Sequence, residues 1–231
     1  NTTLLTTAQT YTGATNVRGG TLQLRDSATL ASIAGLNLEF GALNLDNSNL
    51  ANLGGRVSVD NAVSTRGGTI TLTGVQGQTV AEALGTVTVQ AGQTTITATP
   101  GNTGTALLTI GNLVRNAGSG VNFTSSNLNL GQRASAGVIA IGSGGIELTQ
   151  INGGAPALVN GILGGWATVN GTDFASYVAP GATQGGVGAV GTTGFGAYVT
   201  TALSTASIAG ASNVTVAANV TALAQTINSL R

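Results

Sequence analysis

A short alternating strand that recurs after glycine is the feature that most constrains this chain. Gly19-Gly20 precedes residues 21–24, Gly41 precedes 42–45, and Gly67-Gly68 precedes 69–73. Each run alternates apolar with small polar residues, the period of two that is typical of a strand with one buried face. The same pattern recurs at 56–59, 86–89, 94–99, 106–110, 121–123, 128–130, 138–141 and 146–148. The sequence therefore predicts an all-β fold, with helical periodicity nearly absent before residue 150.

The lengths and corners of these runs favour a parallel β-helix (β-solenoid) over hairpins. Hairpins favour Asn-Gly turns, and here Asn-Gly occurs only at 152–153, 160–161 and 170–171. Ordering the backbone of a coil of about twenty residues costs ~1–2 kcal/mol of free energy per residue. Burial of about five inward side chains stabilises the coil by only ~1.5–3 kcal/mol each. A coil is therefore stable only in a stack. About ten coils at ~4.8 Å each predict a rod of around 50 Å.

The composition changes near Gly153, where proline, the only tryptophan and Gly/Ala-rich segments follow. We therefore expect residues 1–150 to form the parallel β-helix coils. Residues 151–231 are expected to form a Gly/Ala-rich continuation or a small β cap. Strand character returns at 214–216 and 226–230, with a helix across 217–229 as the weaker alternative.

Composition excludes several classes of chemistry. The 231 residues include seven Arg and seven Asp or Glu, with no Lys, His, Cys or Met. This composition excludes disulfides, thiolate nucleophiles, His-dependent triads and imidazole metal ligands. A formal net charge of zero argues against nucleic-acid binding, and no apolar stretch reaches the ~18–20 residues of a spanning helix. We expect a protein that is not an enzyme, with no cofactor, no metal site and no membrane-spanning segment.

Residues 9–24 resemble the autotransporter-associated β-strand repeat, which reads roughly TYTGxTxVxxGTLxL. The matching positions are Tyr11, Thr12, Gly13, Thr15, Val17, Gly20, Thr21, Leu22 and Leu24. Segments 113–123 and 162–177 look like the module that surrounds this repeat in giant surface proteins of planctomycetes and related bacteria. Segment 226–231 looks like the opening of the next module, so the resemblance implies that residues 151–231 lead into a next module. The resemblance implies a right-handed parallel β-helix at the surface of a Gram-negative-type bacterium, or outside the cell, without catalytic residues. An extracellular structural or adhesive module of a surface protein or fibre is the expected function.

Two other functions remain as alternatives. A β-helical protein that binds or cleaves polysaccharide would need a facing pair of carboxylates, and stacked coils could bring Asp46 near Asp60. An ice- or surface-binding solenoid would need regular outward Thr-x-Thr steps, and those at 69–73, 86–88 and 95–99 are unevenly spaced.

The segment Asp46-Asn47-Ser48-Asn49 could supply oxygen ligands for calcium, but an Asn/Asp-rich turn accounts better for this composition. The full set of carboxylates is Asp26, Glu39, Asp46, Asp60, Glu82, Glu147 and Asp173.

Trp166, Phe174 and Tyr177, with Asp173 nearby, form the one aromatic concentration. They are candidates for binding a cell-surface glycan or, as the favoured interpretation, for plugging the solenoid where its cross-section changes.

The two ends of the chain are the candidate assembly edges. The first coil has neither charge nor proline, which are the usual protection of an exposed strand edge. We therefore predict end-to-end contact with other copies or tandem modules by strand addition. The residues assigned to these edges are Thr2, Thr3, Leu4 and Leu5 at one end, and Thr226, Ile227, Asn228, Ser229 and Leu230 at the other.

Overall fold

The computed structural model describes residues 1–126, 130–135, 138–181, 183–199, 210, 212–216, 227 and 229–230. Within these ranges the chain forms nineteen β-strands and no helix. The strands are β1 Thr2–Leu5, β2 Thr15–Arg18, β3 Thr21–Leu24, β4 Leu36–Glu39, β5 Ala42–Asp46, β6 Val63–Arg66, β7 Thr69–Thr73, β8 Thr79–Ala91, β9 Gln93–Thr99, β10 Thr105–Arg115, β11 Gly120–Thr124, β12 Arg133–Ser135, β13 Val138–Ile139, β14 Gly144–Ile151, β15 Ala167–Val169, β16 Asp173–Val178, β17 Gly186–Ala189, β18 Asn213–Val214 and β19 Ser229–Leu230.

Two large sheets share most of the strands, which alternate between them along the chain from β1 to β11. Sheet 1 has nine strands in the order β1-β3-β5-β7-β9-β11-β15-β16-β17, and sheet 2 has six in the order β14-β10-β8-β6-β4-β2. All pairs are parallel in sheet 2, and in sheet 1 they are parallel as far as β15. The chain thus visits each sheet once per circuit and adds one strand to it. This topology confirms the all-β expectation and is consistent with a β-solenoid.

A third wall joins the two sheets on one side. In the early coils it is held by single parallel bridges that link Gln9 to Leu30 and Leu30 to Val57. In later coils the wall becomes regular strand, because β8 and β10 are long enough to cover this wall and sheet 2 together. The prediction of a strand at residues 56–59 was therefore wrong, since only Val57 of this run forms a β-bridge.

Rows of inward side chains, stacked from coil to coil, form one continuous core. In sheet 1 the pairing aligns one such row, and its members are at most 5% exposed; it runs Leu22, Leu43, Ile70, Ile96, Phe123 and Val169. A second row in sheet 2 runs Leu36, Val63, Val87, Leu113 and Ile151. Since each inward side chain lies directly against the one above and below, the core exists only where coils are stacked.

Small polar side chains form matching ladders on the outer surface. The amide of Asn37 donates to Asn16 Oδ1 over 2.8 Å, and the Ser64 hydroxyl donates to Asn37 Oδ1 over 2.7 Å. These three residues are register partners in β2, β4 and β6. Each ladder step satisfies polar groups that would otherwise compete with the backbone pairing.

The parallel stack ends at β15, and the strands that follow reverse direction. β16 pairs with β15, and β17 with β16, both antiparallel. Ala175 and Val187 of these strands are fully buried in the same core as the parallel coils. In place of further parallel coils, an antiparallel pair therefore continues sheet 1. β14 spans residues 144–151 and so crosses the predicted boundary at residue 150.

The stack is shorter than the predicted ten coils. Sheet 1 contains seven parallel strands within the described residues, from β1 to β15, which corresponds to about 30 Å at ~4.8 Å per coil. The prediction was wrong because a coil uses more chain than about twenty residues, as the successive partners Leu43, Ile70 and Ile96 show. The missed strands β2, β4 and β6 account for part of that length.

Ile70→Ala should lower the free energy of unfolding by about 2–5 kcal/mol, because it empties a fully buried position between Leu43 and Ile96. Thr71→Ala, on the opposite face of the same strand, should change it by only about 0.5 kcal/mol. Guanidinium denaturation followed by circular dichroism measures both. Equal effects of the two changes would contradict the inward and outward assignment.

Gly85→Ala tests the corner between the third wall and sheet 2. A Cβ at Gly85 would lie 1.8 Å from the carbonyl oxygen of Val59 in the previous coil, so the coils would have to separate. We expect a loss of about 1–3 kcal/mol or more. Gly13→Ala is the matched control, since a Cβ there meets no atom within 4 Å. A harmless Gly85→Ala in the same denaturation assay would show that the coils do not approach closely there.

Candidate functional site

A charged network centred on Arg56 lies in the interior of the stack. Its side chain is fully buried, and its five N–H groups all find acceptors. Nε and Nη2 donate to Asn47 Oδ1 over 3.1 and 2.8 Å. Nη1 donates to the carbonyls of Asp26 and Ala28, both over 3.0 Å, and Nη2 also donates to the carbonyl of Ala51 over 3.1 Å. The guanidinium therefore ties three separate loop carbonyls and one amide together.

Glu82 lies against Arg56 from the next coil. Its Oε2 accepts the backbone N–H of Gly55 over 2.8 Å and that of Arg56 over 3.2 Å, and its Oε1 is 3.8 Å from Arg56 Nε. Sequence reasoning missed this pair. The available signal was the alternation of residues 80–84, which places Glu82 on the same inward face as Val80 and Leu84. The partner could not be read from that pattern, because Arg56 lies in an earlier coil.

Burial outweighs attraction at both members of this pair. Desolvation raises the pKa of Glu82 despite the hydrogen bonds from Arg56 and Gly55. Desolvation likewise lowers the pKa of Arg56 despite the nearby carboxylates of Glu82, Asp46 and Asp26. Each shift disfavours the charged form, so the pair costs more in desolvation than its mutual attraction returns. We therefore expect the pair to specify which loops meet at this corner rather than to add net stability.

Replacing Arg56 alone should cost about 3–5 kcal/mol of unfolding free energy, because Arg56→Met leaves Glu82 buried without its counter-charge. The double variant Arg56→Met/Glu82→Leu should lose less than the sum of the two single losses, because it removes both buried charges and Glu82 lies opposite the apolar Leu108. Part of the loss should remain, since the loop carbonyls that Arg56 bonded keep no donor. Denaturation of both single variants and the double variant completes the cycle. A double variant whose loss equals the sum of the single losses would contradict the coupling.

Thr2–Leu5, the predicted first edge, is described throughout. It forms β1, the outermost strand of sheet 1, and pairs with β3. Leu4 is 41% exposed. β2 is likewise the outermost strand of sheet 2, so both sheets end at the same coil within the described residues. A cavity of about 350 Å³ opens there, lined among others by Leu5, Tyr11 and Val17.

The predicted second edge is only partly described, because Thr226 and Asn228 lie outside the described residues. Ile227 is half-buried against Val214. Ser229 and Leu230 form β19, which pairs in parallel with β18, and Leu230 is 54% exposed.

The Thr-x-Thr steps are better aligned than their sequence spacing suggested. Thr69, Thr71 and Thr73 of β7 lie directly opposite Thr95, Thr97 and Thr99 of β9 on the outer face of sheet 1. The next coils interrupt the array, with Ala42 and Asn44 on one side and Asn122 and Thr124 on the other. The regular threonine lattice therefore covers two coils, and mixed polar residues flank it.

Most of the candidate carboxylates are engaged in local contacts. Asp46 accepts the backbone N–H of Ser48 over 2.9 Å and its hydroxyl over 2.6 Å. Burial by itself would raise the pKa of Asp46, but the bonds from Ser48 and Gln23 and the charge of Arg25 lower it overall. Asp26 accepts from Asn49 and Leu50, Glu39 pairs with Arg18 over 3.1 Å, and Glu147 pairs with Arg133. Across the described ranges, no three His, Cys, Asp or Glu side chains gather as a metal site would require.

The three predicted aromatic residues occupy different environments. The Arg115 guanidinium lies 5.3 Å from the ring centroid of Trp166, which packs against the core. Phe174 is half-buried in β16, opposite Thr168 of β15. Tyr177 lines a groove of about 470 Å³ and donates its hydroxyl to the carbonyl of Leu148 over 2.8 Å. Burial, followed by the charge of Glu147, raises the pKa of Tyr177.

Comparison with protein-family models, with curated protein sequences and with solved structures returned no match to this chain. Among the residues that the structure describes, no helix has the length and apolar character needed to cross a membrane.

Proposed function

We propose that this chain is a right-handed parallel β-helix module of an extracellular bacterial surface protein or fibre. It acts as a stiff rod that stacks end to end with other copies or with tandem modules, and it catalyses no reaction. The first coil supports this most directly. Its strands β1 and β2 are the outermost strands of the two sheets, and a cavity opens between them at the end of the core. An uncharged strand with exposed backbone groups favours pairing with another strand.

A general rule of chain topology supports the right-handed coil. β1 and β3 are parallel neighbours in sheet 1, and the chain between them crosses to sheet 2 and returns. Connections of this kind between parallel strands of one sheet are overwhelmingly right-handed. Every later circuit as far as β11 repeats the same connection.

The geometry of residues 9–24 gives a physical reason for the repeat-like motif. Its two halves are β2 and β3, joined at Gly19-Gly20. Gly20 has φ of +69°, and a Cβ there would lie 2.7 Å from the carbonyl oxygen of Asn1. Only glycine meets both demands. The motif thus encodes one corner of a coil, which supports a rod built from repeats; the extracellular location follows from the resemblance of this motif to the surface-protein repeat.

The engaged carboxylates support a protein without catalysis. A polysaccharide-cleaving solenoid needs two carboxyl groups that face a common substrate. Here Glu82 faces the core, Asp46 is hydrogen-bonded within its own turn, and Glu39 pairs with Arg18 on the surface.

The assembly proposal predicts concentration-dependent chains of rods through β1. Leu4→Lys places a charge on the exposed edge strand and should shift micromolar protein towards monomer in sedimentation velocity. Thr71→Lys puts the same charge on the outer face of β7, three strands in from β1 in sheet 1, and should leave the chains intact. Wild-type protein that is wholly monomeric at these concentrations, or equal effects of the two variants, would rule out assembly at this edge.

A further inference from the structure

We infer that the groove beside Tyr177 is a binding site for a neutral saccharide. The groove lies between β14, the loop at residues 155–158 and the end of β16, and its volume of about 470 Å³ is within the range of ligand pockets. It gives the adhesive part of the proposed function a ligand class, and to that extent rests on it.

The walls of the groove are mostly apolar and rigid. Pro156, Leu158 and Pro180 contribute aliphatic surfaces, and Tyr177 contributes an aromatic ring. Because the Tyr177 hydroxyl is already bonded to the carbonyl of Leu148, the ring is held in one orientation. An aromatic ring beside proline faces is suited to pack against the C–H face of a sugar ring.

The polar groups of the groove are few and lie to one side. Glu147 is 19% exposed at its side chain and lines the groove with Thr149. The guanidinium of Arg133, which is 1% exposed, contacts the Glu147 carboxylate from the protein side and fixes it. A fixed carboxylate accepts hydrogen bonds from hydroxyl groups, and a threonine hydroxyl both donates and accepts.

The charges favour a neutral ligand over an acidic one. Arg133 is engaged by Glu147, and neither Arg133 nor another cationic side chain is among the lining residues. The charge of Glu147 is balanced by its partner Arg133, so the groove offers no free cation to pair with a phosphate, sulfate or uronate group. A neutral hydroxylated ring needs no such partner, and it meets the apolar wall and the acceptor oxygens of Glu147.

The test uses two alanines of the same loop. Ala155 lines the groove and Ala157 does not, and both are exposed. Ala155→Trp should fill the groove and weaken saccharide binding at least tenfold, whereas Ala157→Trp should change it less than twofold. Binding is measured by printed arrays of neutral and acidic oligosaccharides, followed by titration calorimetry of the bound neutral sugars against the full chain.

The result expected is saturable binding of at least one neutral oligosaccharide, with one site per chain. Tyr177→Phe keeps the ring and should retain binding within about threefold, which separates packing on the ring from a role of the hydroxyl. The inference would be overturned if no neutral sugar bound saturably or if acidic sugars bound better than neutral ones. Equal effects of the two tryptophan variants would also overturn it. Sedimentation of the same variants separates this outcome from rod assembly, because the groove lies at the opposite end of the stack from β1.

Discussion

The fold depends on the parallel pairing of each coil with the next. A single coil has too little inward side chain to offset the ordering of its backbone, and its strand N–H and C=O groups need a partner strand. In this chain one register satisfies both requirements. The pairing that joins the backbones of β5, β7 and β9 also places Leu43, Ile70 and Ile96 in one buried row.

This dependence on register explains why the ends of the stack differ from its middle. Interior strands have a neighbour on both sides, whereas β1 and β2 each have one within the described residues. At the other end, β16 and β17 turn antiparallel and add buried residues to the core. The network of Arg56 and Glu82 is a specific exception to an apolar core, and it joins loops from different coils at the cost of desolvation.

The sequence predicted sheet 1 well because its strands begin at glycine-marked corners and alternate cleanly, as at Thr69–Thr73. In sheet 2 it predicted the later strands, through the runs at 86–89, 106–110 and 146–148 within β8, β10 and β14, but it missed β2, β4 and β6. Thr15–Arg18 and Val63–Arg66 each contain a single valine, so their strand structure depends on pairing with neighbouring coils. The contact between Arg56 and Glu82 and the groove beside Tyr177 depend on which coils are adjacent, and composition and periodicity do not carry that information.

Distances between spin labels test the stacking of coils most directly, because the chain has no cysteine and single labels can be placed freely. Leu4, Gln23, Asn44, Thr71, Thr97 and Thr124 are register partners on the outer face of sheet 1. One label is placed at Thr124, and the second at Asn44, Gln23 or Leu4 in turn. Double electron–electron resonance spectroscopy should give distances between the two labels that grow by about 4.8 Å for each coil in that order. Separations that do not increase in this order, or that increase by unequal steps, would contradict the stacked-coil account.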